Sequence, residues 1–122
     1  MEKHILLIDD DMDEPEMFIN ALYDAGIICK CTWASGAEDA FRQLASISPD
    51  FIILDFNMPK MNGIETLRAL KAHAEWKHIP VIMYSATMDS VLSAYALQEG
   101  AARCLRKPYN MQELPSLLDS FL

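Results

Sequence analysis

Short runs of apolar residues recur along this chain, separated by longer stretches with helical periodicity. The clearest runs cover residues 5–8, 51–54 and 81–84, and each is apolar at every position. Continuous runs of this length are typical of strands buried on both faces of a parallel sheet. Two weaker candidates, residues 28–33 and 101–106, carry polar or charged side chains and suit positions nearer the sheet edges.

Amphipathic stretches follow the five candidate strands. The first begins at Asp13, which can cap a helix, and Pro15 lies in its opening turn. The second opens on a capping-box pattern of Ser35 and Glu38. The other three are expected to begin near Gly63, Asp89 and Met111. Five strands alternating with five helices predict an α/β fold: a doubly wound (βα)5, flavodoxin-like parallel sheet of five strands with helices on both faces.

The length and composition predict one globular unit. The chain has 122 residues, of which 52% are hydrophobic, so we expect a single domain over residues 1–122 with no attached output domain. No apolar run approaches the roughly 20 residues of a membrane span. The N-terminus lacks the pattern of a signal peptide, so we expect a cytoplasmic protein with no membrane partner. The net charge of −8 argues against direct binding of nucleic acid.

Acidic, hydroxyl and amine side chains lie just beyond the ends of the predicted strands. In chain order they are Asp9, Asp10 and Asp11, then Asp55 and Asn57, then Ser85, and last Lys107. The carboxyl ends of parallel strands meet at one edge of a sheet, so these side chains should gather there. Clustered carboxylates need a cation, and oxygen ligands suit Mg²⁺. A lysine and a serine can bind phosphoryl oxygens, so the set predicts phosphoryl transfer onto a carboxylate.

Four motifs carry a resemblance to a known family. They are residues 5–11, the segment LDFNMPKMNG at 54–63, Tyr84-Ser85-Ala86 and Lys107-Pro108-Tyr109. In this order and spacing they closely resemble the receiver domain of response regulators in two-component signalling, over essentially the whole chain. The resemblance implies a stand-alone, chemotaxis-type receiver that accepts a phosphoryl group with Mg²⁺ as cofactor. It implies no enzyme activity beyond self-catalysed phosphorylation and dephosphorylation.

The resemblance also implies roles for the acidic residues. Asp55 would accept the phosphoryl group, and Asp10 and Asp55 would bind Mg²⁺ through their side chains. The backbone carbonyl of Asn57 would be a third metal ligand, and Asp9 would act on the metal mainly through water.

Beyond the acidic residues, the chain both follows and departs from the family pattern. Ser85 and Lys107 would contact the phosphoryl group, and Pro108 would follow a cis peptide bond. The family usually has Tyr or Phe three residues before this lysine, where the chain has Cys104, so the readout of phosphorylation is expected to be weakened or rerouted.

Two positions that tune the phosphoryl lifetime in the family correspond to Asn57 and Thr87. Both residues are uncharged, which predicts a phosphoryl lifetime in the ordinary range for the family.

The implied partners are proteins. A sensor histidine kinase or a histidine phosphotransfer protein would donate the phosphoryl group. A downstream protein would bind the face formed by the fourth helix, fifth strand and fifth helix. The chain is expected to be a monomer or a weak dimer.

Three rival functions share parts of the pattern. A phosphorylation-independent adaptor would keep the fold, and Cys104 is its support. A small phosphatase working through an aspartyl phosphate would need a second acid where Asn57 lies. A flavin mononucleotide carrier would need a phosphate-binding loop after the first strand, where residues 9–11 would repel the phosphate. Residues 9–11 also fit a solvated, helix-capping acidic run, and for Asp11 that interpretation is preferred.

Overall fold

The strands form a single parallel sheet. The computed structural model describes residues 2–122. Its five strands are β1 (Lys3–Ile8), β2 (Cys29–Ala34), β3 (Phe51–Leu54), β4 (Val81–Ser85) and β5 (Arg103–Arg106). They pair in parallel in the order β2-β1-β3-β4-β5, which confirms the predicted sheet. The strand order reverses between β1 and β3, the point at which open α/β sheets place their sites.

Helices connect the strands. They are α1 (Glu14–Asp24), α2 (Ala37–Leu44), α3 (Gly63–Ala72), α4 (Ser90–Gln98) and α5 (Leu114–Leu117). Turns of 3₁₀ helix at Met111–Glu113 and Asp119–Phe121 flank α5. The α5 helix begins at Leu114 and not near Met111 as predicted, because Pro115 has no N–H to bond to the carbonyl of residue 111. No helix within residues 2–122 combines the length and apolar character required to cross a bilayer.

The sheet is buried on both faces because its central strands are apolar throughout. Ile52 and Leu54 of β3 pack in one cluster, and Phe51 and Ile53 pack in a second on the opposite face. The helices α2, α3 and α4 supply the first cluster with Ala40, Leu44, Leu67, Leu70 and Ala96. The helices α1 and α5 supply the second with Phe18, Leu22 and Leu114. Each fully buried apolar side chain contributes about 1.5–3 kcal/mol to the free energy of folding. The two clusters therefore fix the central strands, and with them the residues at the carboxyl ends of those strands.

The starts of α1 and α2 differ from the sequence prediction. Asp13 lies at the N-cap of α1, but its side chain makes no capping hydrogen bond to the described residues. The Asp11 carboxylate instead accepts the backbone N–H of Asp13 at 3.0 Å, in a local turn. The predicted capping box at α2 is also wrong: Gly36 is the N-cap, and Ser35 donates its N–H to the Asp39 carboxylate at 3.0 Å.

Candidate functional site

Strand ladders carry the predicted site residues to one edge of the sheet. Asp55 directly follows β3, and its N–H donates to the carbonyl of Ile8 at 2.9 Å. Lys107 directly follows β5, and its N–H donates to the carbonyl of Ser85 at 3.1 Å. These backbone bonds extend the hydrogen-bond ladder of the sheet by one residue, so Asp55 and Lys107 are positioned by the sheet itself.

Three carboxylates meet at this edge. One oxygen from each of Asp9, Asp10 and Asp55 lies within 4.8 Å of the others. Asp9 and Asp55 are buried and Asp10 is exposed, so the cluster opens to solvent on one side. Three hard oxygen donors at this separation fit Mg²⁺, which prefers a few carboxylates and keeps several waters. The structure therefore brings together the acidic residues predicted from the sequence.

Crowding raises the pKa of the central carboxyl. Burial, and then the negative charge of Asp9, raise the pKa of Asp55 to about 6, although the charge of Lys107 opposes the rise. A carboxyl with this pKa is mostly ionised at neutral pH but is held there against repulsion. A cation bound at the cluster would relieve that repulsion.

Asp9 is fixed from several sides. Its Oδ1 accepts the N–H of Asp11 at 3.0 Å, and its Oδ2 accepts a hydrogen bond from Lys107 Nζ at 2.8 Å. The indole N–H of Trp33, on β2, donates to the Asp9 carbonyl at 2.7 Å. Asp11 thus supports Asp9 through its backbone and stands outside the carboxylate cluster, as expected.

Lys107 lies among three carboxylates. Its Nζ is 2.8 Å from Asp9, 3.7 Å from Glu14 and 3.9 Å from Asp55. It also lies 5.5 Å from the centre of the Tyr84 ring, within cation–π range. Burial alone would lower the pKa of Lys107, but the hydrogen bond and charge of Asp9, with the charges of Asp55 and Glu14, raise it above its ordinary value.

Glu14 is a member of the site that the sequence prediction missed. It is the first residue of α1 and is only 5% exposed. Burial raises its pKa, Lys107 opposes the rise, and the charge of Asp9 adds to it. A glutamate in the first turn of a helix is ordinarily solvated and favoured by the helix dipole. Only the packing of α1 against the sheet edge distinguishes Glu14 from such a residue.

The hydroxyl end of the site is a short hydrogen-bonded chain. The Asn57 side-chain amide donates to Thr87 Oγ1 at 2.9 Å, and Thr87 Oγ1 lies 3.3 Å from Ser85 Oγ. Ser85 is fully buried at the end of β4. This chain links the loop after β3 to the loop after β4 and holds the Ser85 hydroxyl at the site edge.

The loop that leads from Asp55 into α3 returns against the acceptor. A Cβ on Gly63 would meet the Asp55 carbonyl oxygen at 2.5 Å and the Phe56 Cα at 2.7 Å. The Gly63 N–H donates to the Phe56 carbonyl at 2.9 Å. Asn62 then starts α3 with a capping box that includes Glu65, a signal that the sequence analysis did not use. Glycine at 63 is required by this close approach.

Two expectations at β5 have different outcomes. The Lys107–Pro108 peptide bond is trans, as are all peptide bonds between residues 2 and 122, so the expected cis bond is wrong. For an X–Pro bond the trans form is the more stable by about 0.5–1 kcal/mol, and the local turn does not override that preference. Cys104 is half-buried, and its thiol lies 3.7 Å from the carbonyl oxygen of Ser93 on α4. It packs into the core cluster beneath α4, where the family usually has an aromatic ring.

The comparisons with known proteins agree with this geometry. Residues 5–119 match the family model of the response regulator receiver domain. The phosphate regulon transcriptional regulatory protein PhoB of Pseudomonas aeruginosa is 33% identical over 120 residues, which cover 98% of this chain and 52% of that protein. The CpxR homolog of Haemophilus influenzae, a transcriptional regulatory protein, is 32% identical over 97% of this chain and 49% of its own length. The chain thus spans about half the length of these curated relatives.

A solved structure resembles the chain over its full length. The chemotaxis protein CheY4 of Vibrio cholerae superposes with a TM-score of 0.86 and 27% identity, covering 100% of both chains. The family match covers β2 to β5, most of β1 and the four loops of the site. The chain therefore belongs to the response regulator receiver domain family of two-component signalling.

Proposed function

We propose that this chain is a phosphoryl-accepting switch in which Asp55 is the acceptor and protein–protein contacts are the output. The observation that carries the proposal is the placement of the Asp55 carboxylate among Asp9, Asp10 and Lys107. A nucleophilic carboxylate, an acidic pair and a lysine are the parts that phosphoryl transfer to a carboxylate requires.

In the proposed reaction an Asp55 carboxylate oxygen attacks phosphorus. With a phosphohistidine donor, on a sensor histidine kinase or a histidine phosphotransfer protein, the P–N bond breaks. The imidazole nitrogen then keeps the electron pair and takes up a proton. With acetyl phosphate the P–O bond to the acetyl group breaks and acetate leaves. In both cases the product is an acyl phosphate on Asp55.

Asp10, Asp55 and the backbone carbonyl of Asn57 would hold Mg²⁺, with Asp9 acting mainly through water. When bound, Mg²⁺ neutralises the negative charge that phosphoryl transfer brings to the site. The chain's own residues do the positioning. The new phosphate would draw Lys107 away from Asp9, and Ser85 would turn its hydroxyl from Thr87 to a phosphoryl oxygen. The Ser85 move exchanges a neutral partner for a stronger, charge-assisted one, and the Lys107 move exchanges one anionic partner for another that carries more negative charge.

The switch would be read by a downstream protein at the face formed by α4, β5 and α5. The chain would act as a monomer or weak dimer in the cytoplasm, with no catalysis beyond its own phosphorylation and dephosphorylation. A two-state change of a few kcal/mol is enough to alter the affinity of a partner substantially.

The test is incubation with acetyl phosphate and Mg²⁺, followed by intact mass. Wild type and Asp13→Asn should gain one phosphoryl group, whereas Asp55→Asn should not. Asp13 is a suitable control because it is an exposed aspartate outside the carboxylate cluster, and its side chain caps nothing in the described residues. No adduct on wild type would refute the proposal, and an adduct on Asp55→Asn would move the acceptor to another residue.

A phosphorylation-independent adaptor is the second candidate, because Cys104 fills the position of the usual aromatic ring and contacts α4. The two candidates differ in one measurement. An adaptor would bind its protein partner equally well as wild type, phosphorylated wild type and Asp55→Asn. A switch would bind with different affinities before and after phosphorylation.

A further inference from the structure

Lys107 has more anionic partners than phosphoryl acceptance requires. Its direct hydrogen bond goes to Asp9, and the carboxylates of Glu14 and Asp55 lie at almost equal distances of 3.7 and 3.9 Å. The lysine side chain is only 20% exposed, so these interactions are poorly screened by water. Before any phosphoryl group arrives, Lys107 is therefore held by competing carboxylates.

Glu14 is the partner for which the proposed chemistry has no use. It lies outside the carboxylate cluster that would hold the metal. Burying a carboxylate is unfavourable unless a cation or a hydrogen bond compensates. Lys107 is the only cation within 4.0 Å of the Glu14 carboxylate among residues 2–122. The buried position of Glu14 at the start of α1 therefore depends on this lysine.

We propose that Glu14 is a positioning residue for phosphoryl acceptance: its carboxylate helps to keep Lys107 in its hydrogen bond with Asp9 and opposes a closer approach of the lysine to Asp55, until the phosphoryl group draws the lysine across. This role rests on the function proposed above. Phosphorylation of Asp55 adds negative charge on one side of Lys107. The carboxylates of Glu14 and Asp9 attract the lysine from the other side and so oppose its movement toward the phosphoryl group. Glu14 thus biases the lysine toward its unphosphorylated position and shortens the lifetime of the acyl phosphate.

The first test compares three variants in the acetyl phosphate assay. Glu14→Gln keeps the size of the side chain and removes its charge, so the rate of adduct formation and the lifetime of the adduct should each rise about three- to tenfold. Glu14→Asp keeps the charge but withdraws it from Lys107 by one methylene, and it should resemble Glu14→Gln. Asp13→Asn removes the same charge from the neighbouring, exposed position and should match wild type.

The second test asks whether Glu14 acts through Lys107, without using phosphorylation. Unfolding by urea in Mg²⁺-free buffer is measured for wild type, Glu14→Gln, Lys107→Ala and the double variant. If the ion pair holds Lys107, the changes in folding equilibrium constant should depart from additivity by at least about threefold. Additive changes would overturn the proposal.

The outcomes separate the positioning role from the acceptor role. If wild type forms an adduct but Glu14→Gln forms and loses it at the wild-type rate, only the positioning role is overturned. If Glu14→Asp behaves as wild type while Glu14→Gln is faster, net charge rather than contact with Lys107 is responsible, and the role is again overturned. If wild type forms no adduct, the proposed function fails and this role fails with it.

Discussion

At the scale of single residues, the central feature is a carboxylate held under repulsion. Asp55 is 7% exposed, and burial together with the charge of Asp9 raises its pKa to about 6. Residues kept in an unfavourable state by the surrounding fold are common where chemistry takes place. A cation bound at the cluster would relieve this repulsion, whereas a phosphoryl group adds negative charge that the cation and Lys107 must compensate.

The raised pKa predicts that Asp55→Asn stabilises the metal-free protein. Its pKa is raised from 3.8 to about 6 in the folded state, so the folded state binds the proton more tightly than the unfolded state. That contribution to stability is present below the ordinary pKa and is lost as pH rises through the folded value. The variant should therefore be more stable than wild type near pH 7 by about 1–2 kcal/mol, since solvent at the open edge screens part of the repulsion.

Urea denaturation in chelator measures this gain, and the gain should disappear near the ordinary pKa of an aspartate, about 4. Asp13→Asn is the matched control, because its carboxylate is exposed and stands outside the cluster. A variant less stable than wild type near pH 7 would show that Lys107 outweighs the repulsion.

At the scale of elements, the loop from β3 to α3 fixes the acceptor. Gly63 approaches the Asp55 carbonyl so closely that a Cβ would lie 2.5 Å from it. The Asp55 backbone is held by the sheet, and the Gly63 backbone is held by the capping box at the start of α3. A side chain at this position must displace the acceptor loop.

We expect Gly63→Ala to lower the free energy of unfolding by about 1–3 kcal/mol, as overpacking does in well-packed interiors. It should also slow adduct formation with acetyl phosphate, because the displaced loop carries Asp55. Gly36→Ala is the control, since a Cβ there would meet no described atom within 4 Å. Wild-type stability and rate in Gly63→Ala would contradict the close approach.

Besides their shared apolar core, α3 and the C-cap residue of α4 are joined by an ion pair. Arg68 reaches Glu99 through Nε and Nη2, each 2.8 Å from Oε1, and its guanidinium lies 5.3 Å from the centre of the Tyr95 ring. We expect Glu99→Gln to lower the free energy of unfolding by about 0.5–1 kcal/mol at low salt and by less at high salt, because both groups are partly exposed.

Denaturation at two salt concentrations checks this value. Glu75→Gln is the comparison, since Glu75 is exposed and forms no ion pair with the described residues. A loss that is the same at both salt concentrations would mean that packing rather than charge joins α3 to α4.

At the scale of the whole molecule, the sheet could be predicted because its signal is local and redundant. The runs at 5–8, 51–54 and 81–84 are each apolar throughout, and runs of this length are typical of strands buried on both faces. Because the carboxyl ends of parallel strands meet at one edge, the clustering of the acidic residues and Lys107 could be predicted from the strands alone. The stand-alone character of the domain and the roles of the site residues stay predictions.

What could not be predicted depended on competition between neighbouring groups. Asp11, rather than Asp13, supplies the side-chain acceptor in the turn before α1, because several carboxylates there compete for the same few N–H donors. The last helix begins at Leu114 rather than near Met111, because Pro115 interrupts its hydrogen bonding. Glu14 was missed because burial of a charge depends on a partner, Lys107, that lies far away in sequence.

Metal binding should be visible in the whole molecule. Because three carboxylates repel one another in the metal-free protein, Mg²⁺ should raise the melting temperature. A concentration of about 100 times the dissociation constant corresponds to about 2.7 kcal/mol. The emission of Trp33 should change in the same titration, since its indole donates to the Asp9 carbonyl.

Two variants separate the metal site from general salt effects. Asp10→Asn should weaken both responses, and Trp33→Phe should remove the spectral response while keeping the thermal one. Equal shifts in wild type and Asp10→Asn would indicate nonspecific binding of Mg²⁺ to an acidic surface.

The central claim, that Asp55 accepts the phosphoryl group, has one most direct measurement. After incubation with acetyl phosphate and Mg²⁺, borohydride reduces an aspartyl phosphate to homoserine, with release of phosphate, and peptide mass spectrometry locates the residue. We predict homoserine at position 55 alone in wild type and at no position in Asp55→Asn. Homoserine at position 9 or 10, or its absence from wild type, would contradict the account.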